Sequence, residues 1–470
     1  MKQFNKLLTL HAMKSFLFKG LLQNNGWLAN ALVKVDDHGS IVEIIENGSA
    51  ENAIQIDGYA LPGFQNAHSH AFQYAMAGLA EIHKTTGTSD DFWSWREAMY
   101  QLALSVNPDQ MEAIATMLYS EMARHGYTHV AEFHYVHHDK NGAHYDNLAE
   151  MGSRMIAAAQ TAGINITLAP IFYQKGGFGQ APNDRQRRFI SPDIDSYLEL
   201  LESSKKACAN YSGANVAVGI HSMRGVEPKD IAEIAKSGPQ DIPFHIHISE
   251  QLKEIEDSVS YLKQRPVEWL LDHVDLNERY HLVHATHLTD KETVGIAKSG
   301  ANVVICPTTE GNLGDGLFPL RKYQAANGNW SIGTDSHIGI NPLEELRLLD
   351  YGQRLISHKR NIYTSSNQGD SGMYAIEMAT RSGRKAMNNF SSEFFKVGDK
   401  LNASIMDANA PLLAASSLSN LTSSILYTAD ATQQYGTISN GKLVVKDGKH
   451  LKSQAIRNNF SKAMSDLKNR

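Results

Sequence analysis

The 470-residue sequence predicts an α/β fold, a (β/α)8 TIM-type barrel with a small β-sandwich domain formed by both chain termini. Two features carry that expectation. Eight short apolar runs, rich in β-branched residues, are separated by stretches of helical periodicity. Alternating segments of antiparallel type are confined to the two ends.

Residues 24–60 alternate like short strands, in Ala31-Leu-Val-Lys-Val-Asp and again in Ile41-Val-Glu-Ile-Ile. The barrel strands are then expected at 64–70, 128–135, 164–172, 216–222, 244–249, 280–285, 301–306 and 330–335. They lack a clean in-out alternation, as strands buried on both faces do. Between them, Asn107-Pro108-Asp109 reads as a helix cap with Pro at the first turn. Met111, Ile114, Leu118 and Met122 follow at helical spacing up to Gly126 and read as packing rather than function. The run from Met151 to Ala162 repeats the scheme and stops at Gly163. Residues 396–450 return to short strands, with turns at Gly398-Asp399, Asn440-Gly441 and Asp447-Gly448. A polar, helical tail closes the chain. The expected division is 1–60 and 391–470 for the small domain and 61–390 for the barrel.

A net charge of −6 argues against a broad nucleic-acid surface, which needs a basic excess. Two cysteines, Cys208 and Cys306, make no disulfide framework and read as buried reduced thiols. In the first 22 residues His11 and the lysines Lys2, Lys6, Lys14 and Lys19 interrupt every apolar run. No signal core or membrane span is expected there, and the segment reads as a stray N-terminal extension of a cytoplasmic protein.

The chemistry gathers at strand ends. Asn66-Ala-His68-Ser-His70 closes the first strand, and residues two apart in a strand point the same way. Two imidazoles so placed converge on one point, as metal ligands must. The fifth strand ends in His245-Ile-His247-Ile-Ser-Glu250, where the strand period cannot choose between the two histidines. His284 closes the sixth strand. Asp335 closes the eighth, among apolar residues where a carboxylate is costly unless paired or metal-bound. Taken singly, each has a plain structural alternative. Together they sit at the barrel end where such folds place their active sites.

This strand-end pattern resembles the amidohydrolase superfamily. No lysine occurs at 164–172 or 216–222, which argues against a carbamylated lysine bridging two metals and favours the mononuclear, deaminase-like branch. The sequence resembles one family in particular, formimidoylglutamate deiminase. The matching strings are Leu61-Pro-Gly-Phe-Gln-Asn-Ala-His-Ser-His-Ala-Phe-Gln-Tyr-Ala-Met-Ala-Gly-Leu, Phe92-Trp-Ser-Trp-Arg-Glu and Glu132-Phe-His-Tyr-Val-His. Further on come Phe172-Tyr-Gln-Lys-Gly-Gly-Phe-Gly, Arg265-Pro-Val-Glu-Trp-Leu-Leu, Cys306-Pro-Thr-Thr-Glu-Gly-Asn-Leu-Gly-Asp-Gly and Glu344-Glu-Leu-Arg-Leu-Leu-Asp-Tyr-Gly-Gln-Arg-Leu. One departure is Gly219-Ile-His-Ser-Met-Arg-Gly, where the family usually has Pro before the His and often Ala for Gly219.

The resemblance implies that His68, His70, His247 and Asp335 hold one divalent metal ion per subunit, zinc foremost. It implies that Glu250, His284 and Asp335 act as catalytic residues, and that Gln73, Arg96, Tyr135, His221 and Arg224 contact N-formimidoyl-L-glutamate, which is hydrolysed to N-formyl-L-glutamate and ammonia in histidine degradation. It also implies a homodimer. Two arginines suit a dicarboxylate. The rival readings are a deaminase acting on a purine, pterin or S-adenosylhomocysteine-like ring and, more remotely, a barrel scaffold without catalysis.

Overall fold

The computed structural model describes residues 13–49, 51–81 and 92–468. Eight parallel strands form the barrel: Phe64–Ser69, Tyr127–His134, Asn165–Phe172, Val218–Ser222, Phe244–Ile248, Tyr280–His284, Asn302–Ile305 and Asn329–Ile332. They pair in sequence order. The ring closes where the first strand meets the segment after the eighth. His68 O accepts the N–H groups of Thr334 and Asp335 at 3.1 and 3.0 Å, and His70 N donates to Asp335 O at 3.1 Å. The Asn66 side chain staples the same seam, donating to Thr334 Oγ1 at 2.7 Å and accepting from Thr334 N at 3.0 Å. So close an approach explains Gly333, where a Cβ would lie 2.8 Å from His68 Cβ.

The run expected at 216–222 divides in two. Ala214–Val216 pairs only with the third barrel strand, whereas Val218–Ser222 also pairs with the fifth. The chain changes partner at this point: Ala217 N donates to Leu168 O and Val218 N to Pro243 O. Gly219 is required there, since a Cβ would strike the Ile171 side chain and sit 3.0 Å from Pro170 O. The expected helices form as Pro108–Arg124 and Glu150–Ala162. Asn107 caps the first in a reciprocal box with Gln110, and Met111, Ile114, Leu118 and Met122 are all buried. Cys208 and Cys306 are buried and unpaired.

Both ends of the chain build a second, mixed sheet whose eight strands hydrogen-bond in one series. Its centre joins Ala403–Asp407, Ile54–Pro62 and Lys14–Gln23, in that order. The hairpin turns at Asn440-Gly441 and Asp447-Gly448 adopt the left-handed backbone such turns need. The reading of the first 22 residues as a stray extension is corrected by Lys14–Gln23, an interior strand of this sheet. Phe16 and Phe18 point inward, while Lys14 and Lys19, which break up the apolar run, face solvent. Lys2, Lys6 and His11 lie outside the described residues. The polar tail forms the helix Ser453–Asp466. Among the described residues no helix is long and apolar enough to cross a membrane.

Candidate active site

The C-terminal ends of barrel strands one, five and six, and the turn after strand eight, deliver one buried cluster. His68 Nε2 lies 3.1 Å from His70 Nε2 and 3.0 Å from His247 Nε2. Asp335 Oδ1 lies 3.4 Å from the first and 3.3 Å from the second. Tetrahedral coordination with bonds of about 2.05 Å puts donor atoms roughly 3.3 Å apart, so His68, His70 and Asp335 are spaced to hold one zinc-sized ion, and His247 meets this group through His68.

The far sides of two of the three rings support the same reading. His70 Nδ1 bonds Phe133 O at 2.8 Å and His247 Nδ1 bonds His221 O at 2.9 Å. An Nδ1–H committed to a carbonyl leaves Nε2 bare, the tautomer a ligand needs. Burial keeps the rings neutral. It pushes His68 down to about 3, against the opposing hydrogen bond the ring donates to Asp335, and it lowers His70 and His247 as well. Burial alone would raise the Asp335 carboxyl, but the hydrogen bond with His68 and the imidazoles of His68, His70 and His284 outweigh it and hold it ionised.

The structure also separates His245 from His247. His245 lies one layer deeper, stacked on His281 at 4.8 Å with its Nε2 at Ala386 O. The pairing of strands four and five shifts register between Ile246 and His247, and His247 alone joins the cluster.

Glu250 follows a turn in which Ser249 adopts φ 53°. Its Oε1 lies 3.8 Å from His284 Nε2, and its Oε2 lies 3.8 Å from Arg224 Nη2. His284 Nε2 is also 3.8 Å from Asp335 Oδ2. Burial raises the Glu250 carboxyl, partly opposed by His284 and Arg224. Burial would depress His284, but Glu250, Glu310 and Asp335 outweigh it and lift the ring to about 10. His284 and Asp335 have φ values of 69° and 45°, uncommon for residues with a Cβ and typical of functional sites.

Gln73, Arg96, Tyr135, His221 and Arg224 line one cleft together with His70, His247, Glu250, His284 and Asp335. Gln73 donates to Tyr135 OH at 2.9 Å. Arg96 lies over the Tyr100 ring at 5.6 Å. Arg224, with 13% of its side chain exposed, stays charged because Glu250 and Glu254 offset its loss of hydration. Burial, with Arg224 and His70 beside it, keeps His221 neutral. A larger cavity, about 1150 Å³, opens at the opposite end of the barrel against the second sheet, and no predicted site residue lines it.

Sequence reasoning missed several residues here. Trp95, Met99, Tyr100, Tyr173, Phe189 and Leu313 complete the cleft wall. Tyr100 follows Arg96 by four on the helix Phe92–Ser105, a spacing that shares a face, and Tyr173 directly follows the third strand. Of the 92–97 string, the structure describes the side chains of Trp95, Arg96 and Glu97. Glu254 and Glu310, both buried among the catalytic candidates, carried no sequence signal of their own.

The chain is similar to several known proteins. The amidohydrolase family model matches residues 59–444. Formimidoylglutamate deiminase of Pseudomonas aeruginosa is 39% identical, covering 97% of this chain and 100% of its own. A 5-methylthioadenosine/S-adenosylhomocysteine deaminase of Halobacterium salinarum is 24% identical over 92% of each chain. The crystal structure of an amidohydrolase from Brucella melitensis superposes with a TM-score of 0.90 at 38% identity, covering 97% of this chain and 99% of that one. An adenosine deaminase from Xanthomonas campestris with bound zinc shares the fold, with a TM-score of 0.80 at 19% identity over 97% and 98% of the two chains. With the family model spanning the barrel and a relative of this identity aligned end to end, the chain belongs to the amidohydrolase family.

Proposed function

We propose that the protein hydrolyses N-formimidoyl-L-glutamate to N-formyl-L-glutamate and ammonia. One observation carries the choice of substrate within the family: two arginines, Arg96 and Arg224, line the same cleft as His70, His247 and Asp335. A dicarboxylate carrying one amidine carbon matches two cationic anchors and a single reacting centre. The name of the Pseudomonas aeruginosa relative points the same way.

In this reading His68, His70, His247 and Asp335 hold one divalent ion, zinc by choice of donors, which supplies Lewis acidity that brings the pKa of water toward neutrality. Arg224 and Arg96 bind the two carboxylates, and Tyr135, His221 and Gln73 add hydrogen bonds that fix the chain of the substrate. His284 orients the attacking water. Asp335 Oδ2, facing His284, accepts its proton. Glu250, kept protonatable by burial, gives its proton to the terminal formimidoyl nitrogen; the proton taken by Asp335 follows to the same nitrogen, and the second water proton restores Glu250. Attack at the amidine carbon forms a C–O bond. The C–N bond then breaks, ammonia leaves, and the carbon becomes the formyl group. We further propose a homodimer, as the resemblance implies, acting in the cytoplasm.

The test is ammonia release from N-formimidoyl-L-glutamate by metal-loaded protein, beside a chelated control. Chelator-sensitive release with N-formyl-L-glutamate as co-product supports the reading. Metal-containing protein that deaminates a purine or S-adenosylhomocysteine-like compound instead would replace it.

A further inference from the structure

We infer that Glu310 is a positioning residue for the reaction proposed above, on which this assignment rests: its carboxylate holds the His284 ring from behind and aims Nε2 into the cleft.

His284 ends strand six in left-handed backbone, and Ala285 after it does the same, with φ values of 69° and 49°. Backbone of that kind persists only where surrounding contacts over-determine it. The ring has two distinct sides. Nε2 faces Glu250 Oε1 and Asp335 Oδ2. Nδ1 faces away from the cleft and meets Glu310 Oε1 at 3.2 Å.

Glu310 comes from the helix Pro307–Leu313, which follows the neighbouring strand seven. It is 3% exposed, and the same oxygen accepts the Cys306 N–H at 2.8 Å. One fixed oxygen therefore holds the ring to the backbone of the adjacent strand. A carboxylate at one imidazole nitrogen fixes the tilt of the ring and so the direction in which the other nitrogen points. Glu310 does not line the cleft, and its side-chain hydrogen bond toward the site is to His284; its charge also acts on Glu250, and the His284→Asn background separates the two effects.

Kinetics of Glu310→Ala, Glu310→Gln, His284→Asn and the Glu310→Ala/His284→Asn double variant test this. Glu310→Ala is expected to lower kcat about 10- to 100-fold, the usual effect of losing such a supporting contact, with KM changed less than about threefold. Glu310→Gln, which keeps an oxygen for both bonds, is expected to recover most of the loss. In the His284→Asn background Glu310→Ala is expected to cost nothing more. An equal loss in both backgrounds, or an unchanged kcat, overturns the assignment.

The second readout is the nitrogen-15 spectrum of ring-labelled histidine, with the His284 signals identified by their loss in His284→Asn. Glu310→Gln is expected to shift the Nδ1 resonance, and an unmoved signal overturns the assignment. This measurement decides if Glu310→Ala fails to fold. It also decides if the wild type turns over no N-formimidoyl-L-glutamate, a result that would remove the functional reading alone.

Discussion

The two carboxylate oxygens of Glu254 clamp the turn that presents Glu250. Oε2 accepts the Glu250 N–H at 3.0 Å, and Oε1 accepts the Ser249 N–H at 3.1 Å. Ser249 carries the left-handed backbone in this turn, so the clamp balances a local strain. Glu254→Ala removes both acceptors from buried amides, a loss of about 1–3 kcal/mol each where nothing replaces them. The expected result is a lower urea midpoint together with a fall in kcat, and an unchanged kcat would show that the turn keeps its shape unaided.

Glu250→Gln removes the group assigned to proton delivery without touching the four donor side chains. Turnover is expected to fall by about 10²- to 10⁴-fold. Metal content, read by atomic absorption, is expected to stay at the wild-type level. Near-normal turnover would move proton delivery to another group.

Arg224→Met takes away a cation set to bind a carboxylate. A charged hydrogen bond of about 1.5–3 kcal/mol corresponds to a rise in KM of roughly 10- to 100-fold for the diacid. An unchanged KM would count against the anchor. Glu254 and Glu250 also lose their cation in this variant, so its thermal midpoint belongs beside the kinetics.

Chelation strips an ion held by native-state geometry alone, and the apoprotein is expected to melt lower. At an ion concentration about 1,000 times the Kd, linkage adds about 4 kcal/mol to the loaded form. Differential scanning calorimetry with and without chelator measures it. His247→Asn is expected to abolish most of the difference.

Acid sensitivity follows from two histidines on the second barrel strand. Burial pushes His129 and His134 down to about 3. In the unfolded chain each titrates near 6.5. Between those values the unfolded state binds more protons, so stability rises with pH across the window and levels off above it. Each group adds a slope of up to about 1.4 kcal/mol per pH unit. Urea unfolding at pH 7.5 and 5.5 is expected to show the loss, and His129→Gln is expected to remove about one proton from the slope.

The candidate site was legible wherever a short-range rule governs it. His68 and His70 converge because a strand repeats every two residues, and Asp335 stands out as a carboxylate among apolar neighbours. The same period left His245 and His247 equivalent, since the register shift between Ile246 and His247 depends on pairing with another strand. Glu254 and Glu310 look like ordinary helix carboxylates in sequence, and only tertiary contact turns them inward. The strand Lys14–Gln23 was hidden by Lys14 at its exposed end and Lys19 on the face opposite Phe16 and Phe18, and its other partner, Ile54–Pro62, lies well downstream. The division of residues 216–222 was equally invisible, because it follows from which neighbour each amide meets.

Strand Ile54–Pro62 finds its antiparallel neighbour only in Ala403–Asp407. On a ribosome adding about 5–20 residues per second, the second arrives roughly 20–70 s after the first. Throughout that interval the early strands offer a naked hydrogen-bonding edge to any other chain nearby. The barrel between them is therefore synthesised while its partner sheet is still half-built.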